Sequence, residues 1–334
     1  MGRLSKLLGL SASLGLFSRA IYRPSKQERI TPAHPFEASA ILPSTFTLVS
    51  WNIQYCASRS LHFFYDGGPY VHAPSDVIKD TMHKIGAFLA QEKIDIIALQ
   101  EVDRNSKRTQ GIDQYRGLRQ HVRHHSSACA TYFKAPFIPI PTSNPLGKVH
   151  TDLVTIASAQ IQDAYRYQLA LLKESKIRQS LNLKRAILET KFRTAKGPLF
   201  VANTHLSAFS FQDGTQHKQV QQLQDWINTR PQGSRWIIAG DFNLLPMHDN
   251  PERLLTPKHY HDTDHNPLAA LIPKYKHVFV QNEPTYLPYG HSRPDRKLDF
   301  ILYSDGLTVD DAKIWNNVLL SDHLPLWAKF SLTD

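Results

Sequence analysis

Residues 236–243, Trp-Ile-Ile-Ala-Gly-Asp-Phe-Asn, constrain the fold of this chain more than any other stretch. The apolar run is typical of a buried strand, and Gly240 marks its end. Side chains two positions apart in an extended chain share a face, so Asp241 and Asn243 should project together. A carboxylate beside an amide oxygen suits a hard divalent cation, although a strand that ends in an Asx-type turn gives the same pattern.

Five other segments of the chain place ligand-type residues at strand ends. The apolar runs concerned are 46–53, 94–102, 199–206, 297–303 and 325–332, and the polar residues are Asn52, Glu101, His205, Asp299, and the pair Asp322 and His323 just before the last run. Singly, each is most often a turn residue or an ordinary surface or core histidine. Because strand ends of one sandwich meet at one rim, the repetition predicts a single site.

The remaining periodicity predicts an α+β protein with two packed sheets covered by helices. Helices are expected at 76–91, 113–125 and 214–228, and further strands at 128–133, 153–158 and 183–192. There is no repeat with a period of about 20–50 residues and no regular βαβ order in the C-terminal part. Residues 45–334 are therefore expected to form one domain.

The N-terminal residues 1–21 have three open interpretations. Arg3 and Lys6 precede the apolar run 7–17, which is shorter than the roughly 20 residues that span a bilayer. The segment resembles a signal peptide with a poor cleavage site, a basic amphipathic helix that would make a peripheral membrane contact, or a disordered leader. Residues 22–44 are rich in proline and are expected to be a linker. The cellular location stays open.

The net charge limits the class of partner only coarsely, and the cysteine count excludes two kinds of structural site. The formal charge of +10 favours phosphate-bearing or polyanionic partners, or an anionic membrane surface. Cys56 and Cys129 are too few for a disulfide framework or a zinc site, and two buried thiols are expected rather than one disulfide. Nothing in the sequence indicates an obligate protein partner.

Six motifs resemble the endonuclease/exonuclease/phosphatase superfamily. They are Ser-Trp-Asn-Ile at 50–53, Leu-Gln-Glu at 99–101, Asn-Thr-His-Leu at 203–206, Gly-Asp-Phe-Asn at 240–243, Lys-Leu-Asp-Phe-Ile at 297–301 and Ser-Asp-His-Leu-Pro at 321–325. The resemblance runs in family order from about residue 46 to 330. It implies a DNase I-like, four-layer α/β/β/α sandwich and Mg²⁺-dependent cleavage of a phosphoester, with Mn²⁺ as an alternative ion.

The resemblance also implies roles, and these fit the residue types. A phosphodiester is anionic and repels hydroxide, so its hydrolysis needs a cation, a base that aims water, and an acid or cation opposite. Glu101, helped by Asn52 and Asp322, is the expected metal site.

The other strand-end residues are the expected catalytic residues. Asp241 would orient or deprotonate the attacking water, with Asn243 positioning the water or the phosphate. His323 would donate to a phosphate oxygen, and Asp299 would hold its other nitrogen. His205 would stabilise the developing charge or protonate the leaving oxygen.

The substrate is less constrained than the reaction. Abasic-site endonucleases usually carry Asn-Gly where Gln54 and Tyr55 stand, and a Tyr and Asn-Gly near the motif of His205. His205 instead resembles the DNase I and sphingomyelinase branches and the domain of GPI-lipid remodelling proteins. Aromatic segments at 62–65, 132–137 and 209–211 could meet lipid or stack on bases.

Three arginines are further candidates for substrate binding. Arg104 and Arg108, after Glu101, could hold a second phosphate, although a charged surface loop would explain them too. Arg185 is a third. A lipid head-group or other small phosphoester is therefore expected slightly ahead of nucleic acid. The alternatives are a nonspecific endonuclease and, more remotely, an inactive binding module.

Overall fold

Strands make up most of the regular structure of the chain. The computed structural model describes residues 21–34, 38–123, 125–208, 213–247, 249, 254, 266–278 and 283–334. The strands are β1 (Gln27–Ile30), β2 (Thr45–Asn52), β3 (Ile96–Asp103), β4 (Ser126–Ile138), β5 (Gly147–Ala157), β6 (Ile161–Gln168), β7 (Ala186–Thr194), β8 (Gly197–His205), β9 (Arg235–Asp241), β10 (Lys276–His277), β11 (Asp299–Tyr303), β12 (Leu307–Ile314) and β13 (Leu326–Leu332). The helices are α1 (Ser75–Gln91), α2 (Gln114–His121), α3 (Lys176–Leu181) and α4 (Thr215–Asn228).

The strands form two sheets. Sheet A has seven strands in the order β1-β6-β7-β8-β9-β11-β10, and sheet B has six in the order β12-β13-β2-β3-β5-β4. One hydrophobic cluster contains residues of both sheets, among them Phe46, Ile96, Leu188 and Ile237. The sheets therefore pack face to face.

Helices cover the outer faces of both sheets. Ile78 and Leu89 of α1 and Leu118 of α2 pack on the outer face of sheet B. Val220 and Leu223 of α4 pack on sheet A. The α+β sandwich expected from the sequence is thus confirmed.

Parallel pairing places the polar strand ends together. The pairs β2–β3 and β8–β9 are parallel, one in each sheet, and the other strand pairs in the described residues are antiparallel. Asn52 lies opposite Gln100, and His205 lies opposite Asp241. The antiparallel β11 begins beside the same edge, with Asp299 opposite Asp241. Both sheets therefore contribute ligand-type side chains to one rim.

The N-terminal stretch differs from the expected linker. Residues 27–30 form β1, which pairs with β6, and Leu42 is fully buried in the cluster between the sheets. Backbone pairing and the burial of Leu42 hold residues 22–34 and 38–44 against the sandwich despite their prolines. Residues 1–20 lie outside the described residues. No helix within the described residues is both long and apolar enough to span a bilayer.

The cysteines form no disulfide, and one of the two is buried as expected while Cys129 is partly exposed. Cys56 and Cys129 are both free thiols, and Cys56 is fully buried. Burial raises the pKa of both thiols, so neither is primed as a nucleophile.

Candidate functional site

The polar strand ends surround one cavity of about 570 Å³. Among the residues that line it are Asn52, Glu101, Arg185, His205, Asp241, Asn243, Asp322 and His323. Asp299 lies directly behind His323, with Oδ2 2.8 Å from the ring Nδ1. The structure therefore brings together all eight residues that the sequence predicts as metal-binding or catalytic.

Asp241 stands at the centre of the site and is 1% exposed. Its Oδ2 accepts a hydrogen bond from Asn52 Nδ2 at 3.0 Å and lies 3.3 Å from His205 Nε2 and 3.5 Å from His323 Nε2. Burial raises the pKa of Asp241 to about 6, although His323 opposes this shift. One carboxylate oxygen is thus held between two imidazole rings.

The Asx-type turn is also present after β9. The backbone N–H of Asn243 donates to Asp241 Oδ1 at 2.9 Å, with Asn243 at φ 52°. Asn243 Nδ2 donates to Leu206 O at 3.2 Å. The turn therefore fixes Asp241 and Asn243 at the cavity. The Asx-type turn and the candidate site are thus formed by the same two side chains.

His323 is held in one orientation by Asp299 on Nδ1. Burial lowers its pKa, but the carboxylates of Asp299, Asp241 and Asp322 outweigh burial and raise the pKa of His323 well above its usual range. The raised pKa favours the protonated ring, and Nε2 lies in the cavity 3.5 Å from Asp241 Oδ2. Trp51 Nε1 donates to His323 O at 2.9 Å and ties this loop to β2.

His205 has the opposite electrostatic environment. Burial, together with the charges of Arg185 and His323, holds the pKa of His205 well below its usual value. Within the described residues, Nδ1 of His205 is buried without a hydrogen-bond partner. The surroundings thus shift the pKa values of the two histidines in opposite directions, a division typical of acid–base sites.

Glu101 reaches the cavity through a β-bulge. Gln100 and Glu101 of β3 stand opposite the single residue Leu153 of β5, and Glu101 has φ 58°. Asn203 of the opposite sheet fills the bulge, with Nδ2 donating to Leu99 O and Val154 O at 3.0 Å each. The bulge turns Glu101 out of the ladder and into the site.

The oxygen donors fit a hard divalent cation. Asn52, Glu101 and Asp322 line the same cavity, and burial raises the pKa of Asp322 to about 7, with Glu101 and Asp66 adding to the shift. Crowded carboxylates of this kind are stabilised by a cation, and oxygen ligands are those that Mg²⁺ prefers. Asp241, Asp299 and His323 also place ligand atoms within 4.8 Å of one another. Asp299 already bonds Nδ1 of His323, so the first set has more free oxygen donors for an ion.

The prediction for Arg104 and Arg108 is corrected by their contacts. Arg108 is buried, and its guanidinium forms hydrogen bonds of 2.8 and 2.9 Å with Asp103. Arg104 pairs with Asp113 at 3.4 Å and Asp152 at 3.5 Å. Neither lines the cavity, because carboxylates of the fold itself engage both side chains.

Arg185, in contrast, lies at the cavity. It is 6% exposed, lies over the ring of Tyr132 at 5.1 Å, and lines the cavity. Within the described residues its Nε and Nη1 have no hydrogen-bond partner.

Several cavity residues have no signal in the sequence motifs. Arg59, His62 and Tyr289 come from loops and Asp66 from the short 3₁₀ helix Phe64–Asp66, and the rings of His62 and Tyr289 stack at 4.2 Å. Gln54, also in the cavity, begins a run of three residues at positive φ, 44°, 41° and 55°. None of the three is glycine or asparagine, so turn chemistry could not have revealed the run. The aromatic segment 209–211 lies outside the described residues.

Comparison with known proteins agrees with this geometry. The model of the Endonuclease/Exonuclease/phosphatase family matches residues 49–323. No curated protein sequence gives a significant match.

Similar solved structures share the fold at low identity. An endonuclease/exonuclease/phosphatase from Beutenbergia cavernae DSM 12333 is 18% identical, with TM-score 0.63 and coverage of 86% of this chain and 72% of that chain. The human nocturnin catalytic domain with bound sulfate is 18% identical, with TM-score 0.52 and coverage of 91% and 98%. TDP2 from D. rerio, complexed with a single-strand DNA product, is 14% identical, with TM-score 0.55 and coverage of 86% and 99%.

Proposed function

The chain belongs to the endonuclease/exonuclease/phosphatase family, whose members hydrolyse phosphoesters, and on that premise we propose that it is a Mg²⁺-dependent phosphodiesterase or phosphatase. Mn²⁺ is the expected substitute. The observation that carries the proposal is the placement of Asp241 Oδ2 within 3.5 Å of the Nε2 atoms of His205 and His323, beside oxygen donors on Glu101 and Asp322.

Three oxygen donors at the cavity would hold the metal ion. Held by Glu101 and Asp322, with Asn52 beside them, it would neutralise phosphate charge and increase the acidity of a bound water. Asp241 then orients the attacking water and accepts its proton.

His323, His205 and Arg185 complete the proposed site. Protonated His323 donates from Nε2 to a phosphate oxygen, with Asp299 fixing the ring. His205, as a neutral ring, donates to charge that develops in the transition state. The unpaired guanidinium of Arg185 binds a second phosphate oxygen, because a buried cation without a partner gains most from an anion.

The favoured substrate is a lipid head-group or another small phosphoester. The cavity has aromatic walls, formed by Tyr65, Tyr289 and His62, and its volume suits a head-group. Arg104 and Arg108, which the sequence offered for a second phosphate, form ion pairs with Asp113 and Asp103 instead. A nonspecific endonuclease is the second candidate, supported by the charge of +10 and by the likeness to TDP2 bound to DNA.

A magnesium-titrated hydrolysis panel tests the proposal. It compares supercoiled plasmid, sphingomyelin and phosphatidylinositol vesicles, inositol phosphates and a chromogenic phosphodiester. Asp241→Asn serves as the inactive variant and Asp305→Asn, at a carboxylate with a 95% exposed side chain, as its matched control. We expect turnover that EDTA abolishes and that Asp241→Asn lowers by a factor on the order of 10² or more, with Asp305→Asn unchanged.

The panel also separates the alternatives. Cleavage of plasmid without cleavage of any head-group would make the protein a nuclease. Absence of turnover on every substrate, with the metal still bound, would favour the inactive binding module.

A further inference from the structure

Exposed apolar side chains gather around one small hydrophobic cluster. The cluster consists of Val71, Ala135, Leu146 and Val149, with Phe64, Ile138 and Leu181 packed against it. Of the eight large apolar or aromatic side chains exposed in the described residues, five lie within four residues of one of these cluster residues along the chain. These five, called here the rim patch, are Tyr65, Tyr70, Phe137, Ile140 and Ile177.

The helix α3 extends this apolar surface into solvent. It lies beside β4, because Lys184 N–H donates to Tyr132 O at 2.5 Å and Leu181 packs on the cluster. Ile177 stands four residues before Leu181, on the same helix face, and is 78% exposed. In the loop after β4, Ile140 is 60% exposed. Exposure of this degree on neighbouring elements indicates a contact surface.

The rim patch adjoins the cavity. Tyr65 lines the cavity and contacts the ring of Phe64 at 5.2 Å. Tyr132 of β4 contacts His205 edge-on at 5.7 Å, and Phe137 follows five residues later on the same strand, about 17 Å away. The rim patch therefore meets the cavity at Tyr65.

Positive charge surrounds the rim patch. Residues 126–151 and 164–188 contain eight lysines and arginines and one acidic residue, Glu174; Arg166, Lys184 and Arg185 are buried, and the other five basic residues are exposed. Lys134, Lys148, Lys176 and Arg178 are exposed. Tyr22, close in sequence to residues 1–20, contacts the same strand, because its Oη donates to Thr131 O of β4 at 3.2 Å. Residues 1–20 contain Arg3, Lys6 and Arg19 and no acidic residue.

We infer that the rim patch docks the protein on an anionic lipid surface and presents the cavity to phosphoesters at that surface. Exposed apolar side chains with lysines and arginines around them bind membranes at the boundary between lipid head-groups and acyl chains. A second copy of the chain fits less well, because an isologous contact would bring the same cations face to face. The choice of lipid as substrate rests on the proposed function, but docking itself is measured without turnover.

Vesicle binding by the full chain tests this inference. The vesicles are phosphatidylcholine alone and phosphatidylcholine with phosphatidylserine. The triple variant Phe137→Ser, Ile140→Ser, Ile177→Ser should lower the partition coefficient more than tenfold. Lys176→Glu with Arg178→Glu should lower it about fivefold per residue on anionic vesicles, an effect that high salt removes.

A matched control comes from the opposite end of the sandwich. Ile41 is 41% exposed and lies beside the β7–β8 turn, where Leu42 N–H bonds to Arg193 O. Ile41→Ser should bind vesicles as the wild type does. All variants should keep the wild-type melting temperature and the wild-type rate on a soluble chromogenic phosphodiester.

Three results would overturn the inference. They are absence of wild-type binding to anionic vesicles, wild-type binding by the triple variant, and a dimer in sedimentation velocity that the triple variant dissociates. Loss of hydrolysis of the soluble phosphodiester by the wild type would instead refute the proposed function, whatever the binding result.

Discussion

At the scale of single residues, Arg185 combines a stability cost with a functional position. Its side chain lies over Tyr132, is almost fully buried, and has two nitrogens without partners in the described part of the chain. A buried cation that lacks a counterion destabilises a fold, and substrates or ions are the usual reason that one is retained. Substitution of Arg185 should therefore affect activity and stability in opposite directions.

Replacing Arg185 by methionine should make the protein more stable and less active. Methionine keeps the apolar packing on Tyr132 and removes the charge, so we expect the free energy of unfolding to rise by about 1 kcal/mol. Loss of a phosphate contact should lower kcat/KM by a factor on the order of 10². Urea unfolding and hydrolysis of the chromogenic phosphodiester measure the two effects.

The exposed Arg193 of β7 provides the matched control. Arg193→Met should change neither quantity. A less stable but fully active Arg185→Met protein would place Arg185 in packing rather than in phosphate binding.

At the scale of elements, the contact between β8 and β9 sets the distance between His205 and Asp241. Gly240 lies opposite Thr204 in this parallel pair, and a Cβ on Gly240 would be 2.0 Å from Thr204 O. The close approach of two backbones therefore requires glycine at this position.

Gly240→Ala should separate the two strands and disrupt the site. The clash involves backbone on both sides and cannot be relieved by a rotamer change, so we expect destabilisation of about 3 kcal/mol. Asp241 should also move away from the 3.3 Å contact with His205 Nε2, with a loss of kcat on the order of 10² or more. Chemical unfolding combined with kinetics at saturating Mg²⁺ measures both; an active variant of unchanged stability would contradict this account.

The elements that the sequence predicts best are those buried on both faces. A strand buried on both faces has a continuous apolar sequence rather than alternating apolar and polar residues. The strands that end near Asn52, Glu101, His205 and Asp241 are therefore visible as apolar runs. Strands β1, β6 and β12 were not predicted, because they have mixed burial and polar sequences such as Asp310 and Asp311 in β12. Pairing with neighbouring strands creates these elements, and such pairing is not encoded locally.

Local geometry at the site shows the same limit. The bulge at Glu101 and the run of positive φ that begins at Gln54 occur at residues with no preference for them. Tertiary contacts hold both, including the hydrogen bonds of Asn203 to Leu99 O and Val154 O. The sequence could therefore predict which residues meet, but not the strained backbone that aims them.

At the scale of the whole molecule, Asn203 and Gln100 join the two sheets through the core. Gln100 Nε2 donates to Asn203 Oδ1 at 2.8 Å, and both side chains are fully buried. Asn203→Ala should leave two carbonyls and one amide with fewer partners, so we expect a loss of about 3 kcal/mol in the free energy of unfolding. Activity should fall as well, because the bulge that carries Glu101 loses its support.

Asn144→Ala, at an exposed asparagine, is the matched control for this change. Its effect on unfolding should be within about 0.5 kcal/mol. Equal effects of the two substitutions, measured by urea denaturation, would show that the bridge between the sheets adds nothing to stability.

The position of β13 has a consequence for the order in which the chain assembles. Sheet B places β13, near the C-terminus, between β12 and β2, so β2 is paired on both edges only after residues 326–332 are available. During synthesis at the ribosome, one edge of β2 must wait unpaired while nearly all later residues are made. Unpaired edges recruit foreign strands. The emerging polypeptide should therefore depend on chaperones that shield β2, and slowed translation should prolong that dependence.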